Sequence, residues 1–386
     1  MKQSLFHIWL FLFGFIYYLI IPLVVVASRV WENYPGMDNL YAYYKDDYWF
    51  GYSLIIILIG LSFLIGALLP LHYFNESSPF IHKQIVVNSR GMLLISFPLF
   101  LYSQYLILAN RGSLFQGYAE GLDIAFVGSL ATISMFFLFL FIYNKVGDYS
   151  RVVNWFLCFI LIELTIVVLG LGTRMYAMVT VFSILIYLID KNVVTIKKML
   201  VWLSAIVLLI LMIGIWRMGD TNFTLEQLVY IGIAEPSFTW ISAISMYDLN
   251  NLPLFAFPFN FITSFINFLP SVLLPEKGEM ISEVVLNHDA PLGAMSILLS
   301  LIDNFGIVGS FIACFCLGFF LTQVRLRWQT VFGKTYYYCI CGIIPFQLFR
   351  DPVDVVNKGF FSNFLILPLL IIFVHRIMSL LATRPE

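Results

Sequence analysis

Nearly uncharged apolar runs recur from one end of this chain to the other. A helical run of about 20 such residues spans the ~30 Å of hydrocarbon in a bilayer. Ten runs read as spans, at approximately 5–27, 51–72, 91–109, 123–143, 153–171, 175–189, 199–216, 305–324, 336–349 and 359–378, the sixth and ninth being short. Composition agrees, because 61% of the 386 residues are hydrophobic and only 11% are charged. Ordinary soluble domains carry about 25% charged residues. A soluble fold cannot hide this much apolar surface from water, so the solvent is lipid. Soluble enzymes, disordered chains and disulfide scaffolds are thereby excluded. The expected fold is an all-α polytopic membrane protein, one membrane domain over 1–386. The first run is too long and too aromatic for a cleaved signal peptide. A net charge of −1 offers no basic patch for nucleic acid.

Lysine and arginine set the orientation, since cytoplasmic loops are enriched in them. With the N-terminus inside, 13 of the 21 basic residues but only four of the 22 acids face the cytoplasm, on short segments. Seventeen acids and eight basic residues then lie on the longer external segments, and Glu163 lies within a span. An even number of spans returns the C-terminus to the cytoplasm. The five cysteines all lie in apolar runs. The pairs Cys314/Cys316 and Cys339/Cys341 lack zinc-ligand spacing, so they read as small core hydrophobes.

The long connection over 217–304 faces outward and is too long to be a plain linker. Within it, 224–248 reads as one or two helices broken at Pro236. The stretch 257–274 carries Phe257, Phe259, Phe261, Phe265 and Phe268 and reads as an amphipathic helix in the outer interface. It is either a lid on the bundle or one wall of a site open to a lipid tail.

Three arginines stand at the outer edge of the membrane. Arg174 follows the turn Gly170-Leu171-Gly172-Thr173, Arg217 ends the seventh span, and Arg350 ends the ninth in Phe349-Arg350-Asp351-Pro352. A guanidinium stays charged when buried and grips phosphate oxygens as a two-pronged fork. Together they suit a diphosphate at headgroup depth. Individually each can snorkel or pair with an acid, as Arg350 can with Asp351. His288, in Asn287-His288-Asp289, is the external histidine that can take a proton from a sugar hydroxyl, with Asp289 to orient it. Glu235, Glu283 and Asp303 are rival bases. Glu163 is a carboxyl inside the bilayer, suited either to proton-coupled transport or to a hydrogen bond with a neighbouring helix. Asp46 and Asp47 can hold a divalent metal or simply sit in solvent. No Walker A, GxGxxG, HExxH or GxSxG motif is present.

The aromatic-rich spans with one long late external loop resemble the bacterial O-antigen polymerase (Wzy) family. Gly172-Thr173-Arg174 is similar to the Gly-Ser/Thr-Arg often found at an outer helix end there. Pro291-Leu292-Gly293-Ala294-Met295-Ser296 and Asp303-Asn304-Phe305-Gly306 resemble the stretch leading from the long loop into the next span. The related O-antigen ligases place a glycine ten residues after a histidine, whereas here Gly306 follows His288 with 17 residues between. Their Arg-x-x-x-Leu is also altered, since Met178 stands four after Arg174.

The resemblance implies a GT-C-like bundle and a glycosyltransferase at the periplasmic face of the bacterial inner membrane, in lipopolysaccharide biosynthesis. It would join undecaprenyl-diphosphate-linked repeat units, with the lipid diphosphate as leaving group and no nucleotide sugar, cofactor or metal. Arg174, Arg217 and Arg350 are then the diphosphate-binding residues and His288 the catalytic base, supported by Glu235, Asp289 or Asp351. Membrane lipid and a polysaccharide chain-length regulator are the other candidate partners. The alternatives are an O-antigen ligase, another polyprenyl-dependent glycosyltransferase, and a transporter of polysaccharide or lipid-linked sugar. A transporter should carry polar residues along several spans and an internal repeat, and neither is visible.

Overall fold

The computed structural model describes residues 4–30, 32, 38–73, 89–114, 124–171, 174–195, 197–198, 201, 204, 208, 212, 225–269, 274–276, 280, 284–361 and 365–382. Among these residues the regular structure is helical and there is no strand. In chain order the helices are α1 (Phe6–Ser28), α2 (Asp38–Ala42), α3 (Asp46–Tyr73), α4 (Ser89–Ala109), α5 (Ile124–Gly147), α6 (Arg151–Gly170) and α7 (Arg174–Asp190). They continue as α8 (Leu225–Leu249), α9 (Phe259–Thr263), α10 (Ile297–Arg327), α11 (Val331–Ile343), α12 (Gln347–Arg350), α13 (Val353–Phe361) and α14 (Leu367–Ala382).

Six of these are long and apolar enough to cross a membrane: α1, α3, α4, α5, α6 and α10. They coincide with six of the ten expected spans. The expected sixth span is the 17-residue α7, and the seventh lies largely outside the described residues. The expected ninth span is interrupted, because α11 stops at Ile343 and α12 begins at Gln347. Pro345 stands between them, and proline both lacks an N–H and turns the preceding residue away from helix. The expected tenth is divided between α13 and α14.

The chain forms two compact units. The first comprises 1–76, 203–323 and 344–358, and the second 77–202, 324–343 and 359–386. In the first unit α3 and α10 approach closely at Gly66 and Gly318. A Cβ on Gly66 would lie 2.1 Å from the Phe315 carbonyl oxygen, and one on Gly318 2.3 Å from that of Phe63. Small residues that let backbones meet are the usual device of helix packing in lipid. Thr322 donates to the Ala67 carbonyl at 2.8 Å, and His7 Nε2 lies 3.0 Å from the Thr322 hydroxyl, so the span histidine has a polar partner.

Helix α10 is kinked at Gly306 (φ 71°, ψ 179°). The amides freed there are used: Ile307 N–H donates to Pro253 O at 2.9 Å and Val308 N–H to Leu254 O at 3.0 Å. The expected interfacial helix is shorter than 257–274, with α9 starting after Pro258 and a 3₁₀ turn closing it at Phe268. Leu254, Phe255, Phe257, Phe259 and Ile262 are all exposed there, an apolar surface suited to the headgroup–acyl boundary.

In the second unit α7, α11, α5 and α6 pack on one another, and α14 packs on α4. Asp190 at the end of α7 accepts a two-pronged contact from Arg325 and a hydrogen bond from Tyr338 on α11. Tyr337 places its ring 4.8 Å from the same guanidinium. Gln104 on α4 donates to Glu163 Oε1 on α6 at 2.8 Å, which gives the intramembrane carboxyl a neighbouring-helix partner. Among the five free cysteines, Cys314, Cys339 and Cys341 are buried.

Candidate functional site

The first unit gathers one ionisable cluster from three distant parts of the chain: α1, α8 and α12. Its construction begins with a proline. Pro22 has no N–H to give Tyr18, and the preceding Ile16–Ile20 adopts wider π-helical turns. Tyr17 and Tyr18 both reach α8 from this bulge. Tyr17 Oη donates to the Gly232 carbonyl at 2.6 Å. Gly232 is the residue that Pro236 cannot serve four positions later, so the tyrosine supplies the missing donor. Ser237 Oγ donates to Ile233 O at 2.7 Å. Helix α8 therefore runs unbroken through Pro236, where the sequence suggested a break.

That continuity sets Glu235 in mid-helix, facing α1 and α12. Tyr18 Oη donates to Glu235 Oε1 in a long contact of 3.5 Å. Arg350 Nε lies 3.2 Å from the same oxygen, and Arg350 Nη1 donates to Asp351 Oδ1 at 3.0 Å. Side-chain exposures are 26% for Glu235, 29% for Arg350 and 7% for Asp351, so the cluster is reachable at one edge and dry at the other.

Aromatic packing fixes Arg350 in place. Phe349 is fully buried, 5.2 Å from Phe11 and stacked at 6.2 Å on Tyr18, between ring centroids. Gly14 makes the space, since a Cβ there would lie 2.5 Å from the Phe349 ring. Phe346 packs edge-on against Phe13, Tyr17 and Tyr18. The Arg350 carbonyl accepts from Met295 N–H at 3.1 Å.

Electrostatics follow from this geometry. Burial opposes the Arg350 charge, but Asp351 and Glu235 outweigh it and hold the guanidinium above its ordinary pKa. Burial pushes the Asp351 carboxyl up, and Arg350 offsets part of that rise. A cation fixed between two carboxylates is suited to receiving a third anion only when one of the two gives up its charge.

Other expected site residues fall elsewhere. Arg174 is half-buried at the first position of α7, in the second unit, where the helix dipole opposes a cation and favours an anion. Arg217 and Glu283 lie outside the described residues, as do Gly172 and Thr173. His288 is part-buried with Nδ1 2.9 Å from Leu286 O. Its neighbour Asp289 is exposed and anchors by its N–H to Ser245 Oγ at 2.9 Å. Ser245 is ten residues beyond Glu235 on α8, about 15 Å at the helix rise. The anchor of the His288 loop is thus well separated from the Glu235–Arg350 pair.

Asp303 is an organiser. Its Oδ1 accepts from Val285 and Leu286 N–H at 2.9 and 3.0 Å, and its Oδ2 from Asn260 at 2.5 Å, which occupies the carboxylate a base would need free. Asp47 stands in the first turn of α3, where an acid complements the helix dipole, and the Asp46 side chain lies outside what is described. Among the described residues no three His, Cys, Asp or Glu stand together as metal ligands.

Tyr17 and Tyr18 are the participants that sequence reading missed. The available signal was a Tyr-Tyr pair inside an apolar span four residues ahead of a proline.

No protein-family model, no curated protein and no solved structure matches this chain.

Proposed function

We propose that this chain is a membrane-embedded glycosyltransferase that joins lipid-diphosphate-linked oligosaccharide repeat units into a surface polysaccharide. The observation that carries the reading is Glu235 Oε1 set 3.2 Å from Arg350 Nε at a part-exposed edge of an apolar helical unit. A carboxylate base beside a phosphate-gripping cation is what the transfer needs. Glu235 takes the proton from the acceptor hydroxyl, the oxygen bonds to the anomeric carbon, and the carbon–oxygen bond to the diphosphate breaks. The leaving diphosphate carries away the electron pair as negative charge. Protonation removes the Glu235 charge at that moment, which leaves the Arg350 cation to stabilise the departing diphosphate. Arg174 and Arg217 remain further phosphate-binding candidates in this reading on the sequence argument alone, that a guanidinium grips phosphate oxygens as a fork.

The exposed apolar surface over Leu254 to Ile262 supports a substrate with a lipid tail. The lysine and arginine distribution supports a bacterial inner-membrane protein with both termini cytoplasmic and the site periplasmic. The test is to delete the gene in its host, restore it as wild type or Glu235→Gln, and resolve the surface lipopolysaccharide on a gel. Core bearing a single repeat unit is expected from both the deletion and the variant. Core with no repeat would point to a ligase or flippase, and an unchanged ladder on deletion would overturn the reading.

A further inference from the structure

The cluster of α1, α8 and α12 keeps one nitrogen uncommitted. Arg350 Nη1 is engaged by Asp351 Oδ1 at 3.0 Å. Nε is enclosed, 3.2 Å from Glu235 Oε1 but without hydrogen-bond geometry. Nη2 has no hydrogen-bond partner among the described residues and is not one of the enclosed atoms. With 29% of the side chain exposed, Nη2 is where an anion from outside can meet the guanidinium.

An anion at Nη2 joins a group already out of balance. Among the described residues, the charged and titratable side chains at this point are Tyr17 and Tyr18 from α1, Glu235 from α8, and Arg350 and Asp351 from α12. Two carboxylates share one guanidinium, so a bound phosphate adds further negative charge beside them. Like charges in poorly hydrated surroundings are relieved when one of them takes a proton.

The two carboxylates are not equal candidates for that proton. Asp351 is 7% exposed and hydrogen-bonded to Nη1. Glu235 is 26% exposed, so water can bring and remove its proton. Its contact with Nε is an ion pair without a hydrogen bond, the looser of the two.

We propose that Glu235 is a proton-linked release switch for the lipid diphosphate product. This rests on the glycosyl transfer proposed above, which leaves Glu235 protonated and a diphosphate beside Arg350. While Glu235 keeps the proton, Arg350 is shared between Asp351 and the diphosphate. When Glu235 gives the proton to water, its charge returns to Arg350 and repels the diphosphate, which departs. The substrate carries its diphosphate esterified at both ends. The product exposes a terminal phosphate with additional negative charge, so the linkage acts most strongly on the product.

The experiment titrates geranyl diphosphate, a short-tailed form of the product, into purified full-length protein in detergent by isothermal calorimetry. Runs across pH, in buffers of different ionisation enthalpy, count the protons taken up on binding. A proton that goes to the ligand itself is counted in Glu235→Gln as well, so the difference between the two proteins isolates the switch. Wild type should take up about one proton more than Glu235→Gln, and its affinity should fall relative to the variant by up to about tenfold per pH unit as pH rises. Glu235→Asp keeps a titrating group and should keep the uptake, which separates a lost proton from a damaged fold. Equal uptake by wild type and Glu235→Gln, with both binding geranyl diphosphate, overturns the switch and leaves the transfer reading standing. Weaker binding by Glu235→Gln than by wild type at high pH also overturns it, since removing a competing charge should strengthen binding. Failure of wild type to bind the diphosphate at any pH overturns the transfer reading together with the switch.

Discussion

Replacing Glu235 by glutamine keeps the volume and removes one charge and one proton acceptor. Opposite charges 3.2 Å apart attract by about 5 kcal/mol at an effective dielectric constant near 20. Both side chains retain about a quarter of their exposure, so solvent screening and desolvation reduce the net value of the pair to about 1–2 kcal/mol. A general base contributes about 10²–10⁴ in rate, equivalent to about 2.7–5.4 kcal/mol. Activity should therefore fall by more than stability does. The assay is turnover of a synthetic lipid-diphosphate-linked repeat unit by purified full-length protein, read beside the thermal unfolding midpoint of the same sample. Glu235→Gln should lose at least 100-fold in turnover with a midpoint only a few degrees lower. Glu235→Asp, which keeps a carboxylate one methylene further back, should recover part of the rate. Polymerisation by Glu235→Gln within threefold of wild type, at equal protein level, would refute the base assignment. Equal rate losses in both variants with equally collapsed midpoints would reduce Glu235 to a structural ion-pair partner.

Arg174→Lys should largely abolish polymerisation, because lysine keeps the charge but loses the fork; normal polymer length at normal protein level would remove Arg174 from the phosphate-binding candidates. Tyr17→Phe should lower stability by about 1–3 kcal/mol, since it strands the Gly232 carbonyl opposite Pro236. An unchanged unfolding midpoint would show that the tyrosine is not what carries α8 through its proline. Gly306→Ala forces a side chain into a conformation that is essentially glycine's alone and sets a Cβ 2.6 Å from Phe255 Cα. Backbone strain of about 1–3 kcal/mol plus that overlap should leave little folded protein after extraction. A wild-type yield and midpoint would contradict the kinked path of α10.

The membrane character and six spans were legible because they depend on local apolar length alone. Breaks and continuities were not, because they depend on partners far away in sequence. Pro345 ends a helix as proline's chemistry suggests, yet Pro236 does not, and the difference is a hydroxyl that arrives from Tyr17, more than 200 residues earlier. The site shows the same division. Arg350 and its neighbour Asp351 could be read as a pair from adjacency. Glu235 could be named only as one of several external acids until α8 and α12 were seen to meet. Asp303 looked equivalent to it in sequence and differs in what surrounds it: two backbone N–H groups and an amide that consume its oxygens.

The placement of Tyr18 links structure to chemistry at this site. In the proposed transfer the Glu235 carboxylate gains a proton and then loses it, so its neighbours must tolerate both states. Arg350 Nε and the Tyr18 hydroxyl stand at the same Glu235 oxygen, and a tyrosine hydroxyl can donate to a carboxylate or turn its oxygen to accept. Asp351 tethers the guanidinium through Nη1. Because Asp351 also pairs with Arg350, the guanidinium keeps a carboxylate partner whatever happens at Glu235, and an unpaired buried charge is the costly outcome in such surroundings. The π-helical bulge before Pro22 makes this possible, because it brings two consecutive tyrosines to one neighbouring helix, one to repair the backbone and one to serve the carboxylate.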